Sequence, residues 1–172
     1  MTRQAALLRG VNVGGRKVVM SELRALMESA GFDDVRTLLA SGNVVLDAKE
    51  KGAKLEAKLE KLIVEGLGLK SDVFVRDGDQ LEAIIAANPF KAFAKSNPNF
   101  LVVLLMRAPP SAAELAAMEQ TALFGEEACQ GPGCLYIKYP QGQGVSKLKT
   151  PKLATGRNWN TVLKLAAAVR GE

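Results

Sequence analysis

Val35-Arg36-Thr37-Leu38-Leu39-Ala40-Ser41-Gly42-Asn43-Val44-Val45-Leu46 is the stretch that decides the fold. Val35 to Leu39 and Asn43 to Leu46 are short apolar runs, and Ser41-Gly42 between them supplies a turn, so the stretch predicts a β-hairpin. On either side the period becomes helical. Upstream, Leu23, Leu26, Met27 and Ala30 share one face, with Ser21 placed to cap the helix and Gly31 to end it. Downstream, Leu55, Leu59, Leu62 and Ile63 form the apolar face of a charged helix that Gly66 and Gly68 stop. Further out, Ala5-Ala6-Leu7-Leu8 and Asp72 to Val75 read as strands. The order β-α-β-β-α-β is the split βαβ unit of a ferredoxin-like sandwich.

The rest of the chain repeats this logic. Asp79 and Glu82 stand at cap positions of a short helix with Leu81, Ile84 and Ile85 inward, and Asn88-Pro89 breaks it. Residues 90–99 are expected to form a loop, and Phe100 to Met106 a strand. Ser111 and Glu114 have capping-box spacing ahead of a helix with Leu115 and Met118. A strand ends near Gln130, Gly131-Pro132-Gly133 turns the chain, and Leu135 to Tyr139 returns. A final helix carries Trp159, Val162, Leu163, Ala166 and Val169 on one face. The expected fold is α+β: a ferredoxin-like βαββαβ half followed by a related βαββα half, with antiparallel sheets and helices on one face. Residues 1–77 form the first subdomain, 78–98 a connecting helix and loop, and 99–172 a second subdomain with a basic C-terminal segment.

Composition narrows the chemistry. The chain has 172 residues, 48% of them hydrophobic, and a domain of that size buries roughly 70% of its extended surface without staples. There is no histidine, which excludes an imidazole base, a Ser-His pair and His-ligated metals. Two cysteines, Cys129 and Cys134, exclude a disulfide framework and a four-thiolate site, although a hairpin there would allow the two to face each other. No cofactor and no metal is expected. Carboxylates fall mainly on helix surfaces, as Glu56 and Glu60 do, and no isolated pair suggests acid–base catalysis. The N-terminus lacks a signal-peptide pattern and no apolar run is long enough to span a bilayer, so a cytoplasmic protein with no membrane partner is expected.

The net charge of +5 is unevenly placed: residues 128–171 hold seven basic side chains and no acidic one. That suits an anionic partner, a phosphate-bearing small molecule or nucleic acid; the blander alternative is a solvated basic face. Within it, Lys147, Lys149 and Lys152 are the candidates for nucleic-acid contact. Asn158 is placed to cap the final helix, whose free N–H groups favour anions, and Arg157 precedes it. Trp159 lies on the helix stripe and reads as core. Base stacking of the RNA-recognition kind needs aromatics on the first and third strands, and here they carry none.

The strongest local signal is Leu8-Arg9-Gly10-Val11-Asn12-Val13-Gly14-Gly15-Arg16-Lys17. Glycines leave backbone N–H groups open, and the cations add donors for an anion. A phosphate-binding P-loop is rejected, because Gly15 is followed by Arg16-Lys17-Val18 rather than Lys and a hydroxyl residue. In a ferredoxin-like sheet the end of strand one lies beside the turn between strands two and three. Arg9, Asn12, Gly14 and Gly15 are therefore expected beside Ser41 and Asn43 at one edge. Asn43 has the commoner alternative of holding the turn. An arginine and an asparagine at this edge are similar in position to those of acylphosphatases, where they hold phosphate and orient water; the likeness is positional only.

Ala6 to Gly15, Ser41-Gly42-Asn43-Val44-Val45, Asn88-Pro89-Phe90 and Arg157-Asn158-Trp159-Asn160-Thr161 together resemble the bacterial domain-of-unknown-function family DUF1697 over essentially the whole chain. The resemblance implies a small cytoplasmic α+β protein with ferredoxin-like subdomains. It implies no activity and no catalytic residues. The function expected from the residues is binding of a phosphate-bearing ligand, nucleotide or nucleic acid, at the Gly-rich edge holding Arg9. The alternatives are a small acylphosphatase-like hydrolase and a structural or protein-interaction module.

Overall fold

The computed structural model describes residues 1–11, 17–38 and 42–172. Contacts divide the chain into two compact units, Met1–Leu81 with Leu165–Glu172, and Glu82–Lys164. In the first unit the elements run β1 (Thr2–Leu8), α1 (Met20–Ser29), β2 (Asp33–Leu38), β3 (Asn43–Ala48), α2 (Gly52–Leu67) and β4 (Val73–Asp77), and α3 (Gly78–Ala86) follows. The sheet order is β2-β3-β1-β4 with antiparallel neighbours, the ferredoxin-like order expected from the hairpin. Leu23 and Met27 of α1 and Leu55, Leu59 and Ile63 of α2 pack on the face made by Ala6, Leu8, Val44, Leu46, Val73 and Val75. Burying a side chain of this size contributes roughly 1.5–3 kcal/mol, so this layer holds the helices on the sheet. Ser21 does not cap α1: the cap position is Val19, and no side chain bonds there.

β4 is an edge strand, and its outward backbone is covered. The Val75 N–H donates to Glu56 Oε2 at 2.9 Å, from α2. A carboxylate thus occupies an edge that would otherwise invite another strand.

In the second unit α4 (Lys91–Ser96) is followed by a single 3-10 turn and β5 (Leu101–Met106), α5 (Ala112–Thr121), β6 (Glu127–Gly131), β7 (Cys134–Lys138) and β8 (Ala154–Asn158), then α6 (Trp159–Arg170). The sheet order is β6-β7-β5-β8, again antiparallel. Two expectations need correction. The segment 90–99 is not all loop, since it holds α4. The second half is also not one strand short, because β8 completes it. Ala-Thr-Gly-Arg-Asn has no apolar alternation; β8 exists because β5 offers a free edge, and Gly156 fits where a Cβ would lie 3.0 Å from Val102. The expected capping box is present: Glu114 N–H donates to Ser111 Oγ, and Ser111 N–H to Glu114 Oε1.

The halves match in detail. Leu8 N–H donates to Gly42 O at 2.9 Å, and Met106 N–H to Gly133 O at 3.0 Å. Arg76 Nη1 donates to Val75 O at 2.8 Å, and Arg157 Nη1 to Gly156 O at 2.9 Å. Asp77 and Asn158, the last residues of β4 and β8, each accept from the backbone three residues on, Gln80 N–H and Thr161 N–H, and so start α3 and α6. They part between the third and fourth strands. The first half has α2 there, whereas the second has an extended strap, 139–153, with one 3-10 turn. Cys134 pairs with Gly131 and Cys129 with Tyr136, so the two cysteines do not face each other.

Tyr136 is fully buried and its hydroxyl donates to the Ile84 carbonyl at 2.5 Å, near the end of α3 where intrahelical donors run out. Burial pushes the phenol far above its ordinary pKa, so it stays a neutral donor. Tyr136→Phe should cost about 1–3 kcal/mol by leaving that carbonyl unpaired, read as a lower urea midpoint at unchanged slope.

Candidate functional site

β1 ends where its apolar run meets Arg9, and the sheet fixes what surrounds that residue. Arg9 N–H donates to Asp72 O at 2.9 Å, and Ser71 Oγ donates to Arg9 O at 2.8 Å. The guanidinium Nη1 meets Asp72 Oδ2 at 3.1 Å, yet the side chain is 42% exposed. Among the described residues Asp72 is the only side chain bonded to it. On the other flank, Gly42 (φ +76) lies against Leu8 and Val11 so closely that a Cβ would collide with the Val11 side chain. Gly10 also has positive φ. The Gly42 position therefore needs glycine, and the turn closes tightly on the end of β1.

Asn43 stands opposite Leu7, is fully buried, and donates from Nδ2 to Leu38 O at 3.2 Å. That bond ties the hairpin. The described edge thus has Gly42 and Asn43 on one flank of the end of β1 and Asp72, which holds Arg9, on the other, while Asn12, Gly14, Gly15 and Ser41 lie outside the described residues.

The remaining sequence candidates belong to the second unit. Arg157 stands opposite Val103 in β8 and also donates to Thr155 Oγ1 at 2.7 Å. Burial pulls its pKa down to about 10, which leaves it cationic at neutral pH. Asn158 is a helix cap, with its carbonyl oxygen committed to Thr161 N–H at 2.9 Å.

Lys147, Lys149 and Lys152 lie on the strap and are exposed, whereas Leu148 turns inward onto the core of Val102, Leu104, Leu135 and Ile137. The strap has borrowed partners: Lys149 N–H donates to Thr121 Oγ1 at 2.9 Å, and Ser146 Oγ donates to Glu126 Oε2 at 2.6 Å. Among the described residues no three Cys, Asp or Glu side chains gather as a metal-sized cluster.

Sequence reasoning passed over a cleft in the second unit. Asn88, Lys91, Lys95, Trp159 and Asn160 line it. Two of the motifs quoted above, Asn88-Pro89-Phe90 and Arg157 to Thr161, meet there; their pairing was the available signal.

A family profile described as "Protein of unknown function (DUF1697)" matches residues 1–136. The chain belongs to this family. The matched region stops before the Arg157-Asn158-Trp159 motif, so the family match is shorter than the whole-chain likeness read from the sequence. A solved structure described as that of the conserved bacterial protein SP0830 from Streptococcus pneumoniae is similar over 99% of both chains, with 25% identity and a TM-score of 0.78. None of the curated proteins matches the DUF1697 chain. Among the described residues no helix is long and apolar enough to cross a membrane.

Glu126 gives a pH test of the strap. Burial pushes its carboxyl up, but Ser146 Oγ–H and the Glu126 and Phe124 backbone N–H groups outweigh burial and hold it below the usual carboxylate range. The folded pKa is lowered, so its stabilisation is present above the unfolded value and is lost as pH falls through the folded one. Glu126→Gln should flatten the acid limb of a stability–pH curve and leave the limb above neutrality unchanged.

Proposed function

We propose that the protein binds a phosphate-bearing ligand, a nucleotide or nucleic acid, at the edge where β1 ends, and that it works in the bacterial cytoplasm. The observation that carries this is Arg9. Its backbone and one guanidinium nitrogen are fixed by Ser71 and Asp72, while 42% of the side chain stays exposed and the next residue, Gly10, has positive φ. A planar fork fixed from behind and open in front loses little entropy when it takes an oxyanion. Binding is favoured over hydrolysis of the acylphosphatase kind, which needs an amide free to orient water. Of the two amides expected at this edge, Asn43 is buried and donates to Leu38 O instead, and Asn12 lies outside the described residues. An interaction module working through a free sheet edge finds less support at β4, where Glu56 covers the Val75 N–H.

Calorimetry with inorganic phosphate at low salt tests the reading. Arg9→Ala should weaken binding about ten- to a hundredfold, the loss of a charge-assisted hydrogen bond, at unchanged melting temperature. Arg9→Lys should fall between the two, since it keeps the charge and loses the fork. Unchanged affinity in Arg9→Ala, or a chain that no longer folds, assigns Arg9 a structural role.

The lysine strap favours nucleic acid among the phosphate-bearing ligands, because the strap turns Leu148 inward and leaves Lys147, Lys149 and Lys152 exposed. Retention on immobilised DNA or RNA should fall steeply with salt through counterion release, and replacing all three lysines by glutamine should flatten the slope. Absence of retention at low salt would leave the lysines as solvated surface.

A further inference from the structure

Among the described residues, the cleft of the second unit combines a buried donor and two cations without partners and an apolar wall. Asn88 is 3% exposed. Its Oδ1 accepts from Phe90 N–H at 2.9 Å, which fixes which end of the amide faces the backbone. Nδ2 is then a donor sealed from bulk water, and it has no hydrogen-bond partner among the described residues. Buried donors in native proteins are almost always satisfied, so an orphan in a cleft wall calls for an acceptor.

Lys91 and Lys95, one turn apart on α4, line the same cleft and are exposed. Like charges at this spacing work against a helix, and among the described residues neither has an acidic partner. Among the described residues no carboxylate lines the cleft either. The helix that carries them is nevertheless held in place, because Lys138 Nζ of β7 stands 5.0 Å over the Phe93 ring. Opposite, Trp159 (8% exposed) and Leu163 (40% exposed) supply an apolar wall. Asn160 Nδ2 donates to Asn99 Oδ1 at 2.9 Å, tying the start of α6 to the turn before β5. The cavity volume is about 580 Å3, within the range that takes a ligand of nucleotide size.

We infer that this cleft binds a small organic anion with a flat apolar body, its charge between Lys91 and Lys95 and its body against Trp159 and Leu163, and that the wall yields enough for one acceptor oxygen to reach Asn88 Nδ2. The shared chemistry is a phosphate or a carboxylate on an aromatic body, and the probes separate the two. The site shares no residue with the Arg9 edge and stands or falls independently of it.

Trp159 is the only tryptophan, so its indole N–H gives one resonance that reports the cleft directly. The labelled full chain is titrated with AMP, 1-naphthoate, adenosine and inorganic phosphate. AMP or 1-naphthoate should shift the Trp159 signal saturably with a Kd below about 1 mM, and adenosine and phosphate alone should bind at least tenfold more weakly. A response to AMP alone identifies phosphate as the head, and a response to 1-naphthoate alone a carboxylate. Lys91→Gln with Lys95→Gln, both exposed and so neutral to folding, should weaken binding about tenfold or more. Asn88→Asp keeps the acceptor for Phe90 N–H, removes the donor and should abolish the shift. Arg9→Ala should leave the response intact, which separates this site from the other edge. No shift with either anion at about 10 mM, a shift indifferent to the lysine pair, or inorganic phosphate matching the organic anions would each overturn the inference.

Discussion

Each unit depends on a strand that is paired on both edges and buried on both faces. β1 lies between β3 and β4, and Ala5, Ala6, Leu7 and Leu8 are all almost wholly buried. β5 lies between β7 and β8, and Leu101 to Met106 are buried throughout. A strand with no solvent face cannot alternate polar and apolar residues, which is why both appear as unbroken apolar runs. Each run must also end where a polar residue can reach water. In both units that residue is arginine, Arg9 after Leu8 and Arg107 after Met106. The position of a cation at the mouth of each sheet therefore follows from the burial of its central strand.

Much of this architecture was legible because it rests on local rules. The hairpin turn, the two helix stripes of the first half, the Ser111–Glu114 box and the Asn158 cap depend on neighbours within a few residues. That Gly42 and Asn43 lie beside the end of β1 was legible through topology, since an antiparallel third strand must bring its first residues to the end of the first. What escaped depends on distant partners. β8 has no period of its own and is formed by pairing with β5. α4 is six residues long, too short to show one. Asn88 read as a helix stop, and its orphaned Nδ2 is a property of the assembled cleft. The tie of Asn43 to Leu38 O was one of two uses open to a Ser-Gly-Asn turn, and only the folded chain distinguishes them.

The duplicated corners bear on how the halves relate. Arg76-Asp77 and Arg157-Asn158 close their fourth strands with the same pair of bonds, one guanidinium to the preceding carbonyl and one side-chain oxygen to the helix that follows. Residue identity between the halves is slight, so the repeated element is a hydrogen-bonding arrangement rather than a sequence. It survives because a strand that runs straight into a helix leaves orphan N–H groups, and an Asx at the junction satisfies one of them. The halves diverge most where no such constraint acts, in the connection that is α2 in one and the strap in the other.

That exchange of a helix for a strap gives the two sheets unequal protection in time. α2 secures its own amides through sixteen residues of helix, and leaves the sheet only if the helix detaches as a whole. The strap has no ladder; among the described residues it is anchored by single bonds, Tyr139 N–H to Phe100 O, Lys149 N–H to Thr121 Oγ1 and Ser146 Oγ to Glu126 Oε2, and by the inward side chains of Tyr139 and Leu148. Lifting it breaks few interactions, so its amides exchange with solvent through local opening, far below the energy of unfolding the sheet beneath. The same opening would give a protease a purchase on the strap, and it would bare Leu135 and Ile137 while the first sheet stayed covered.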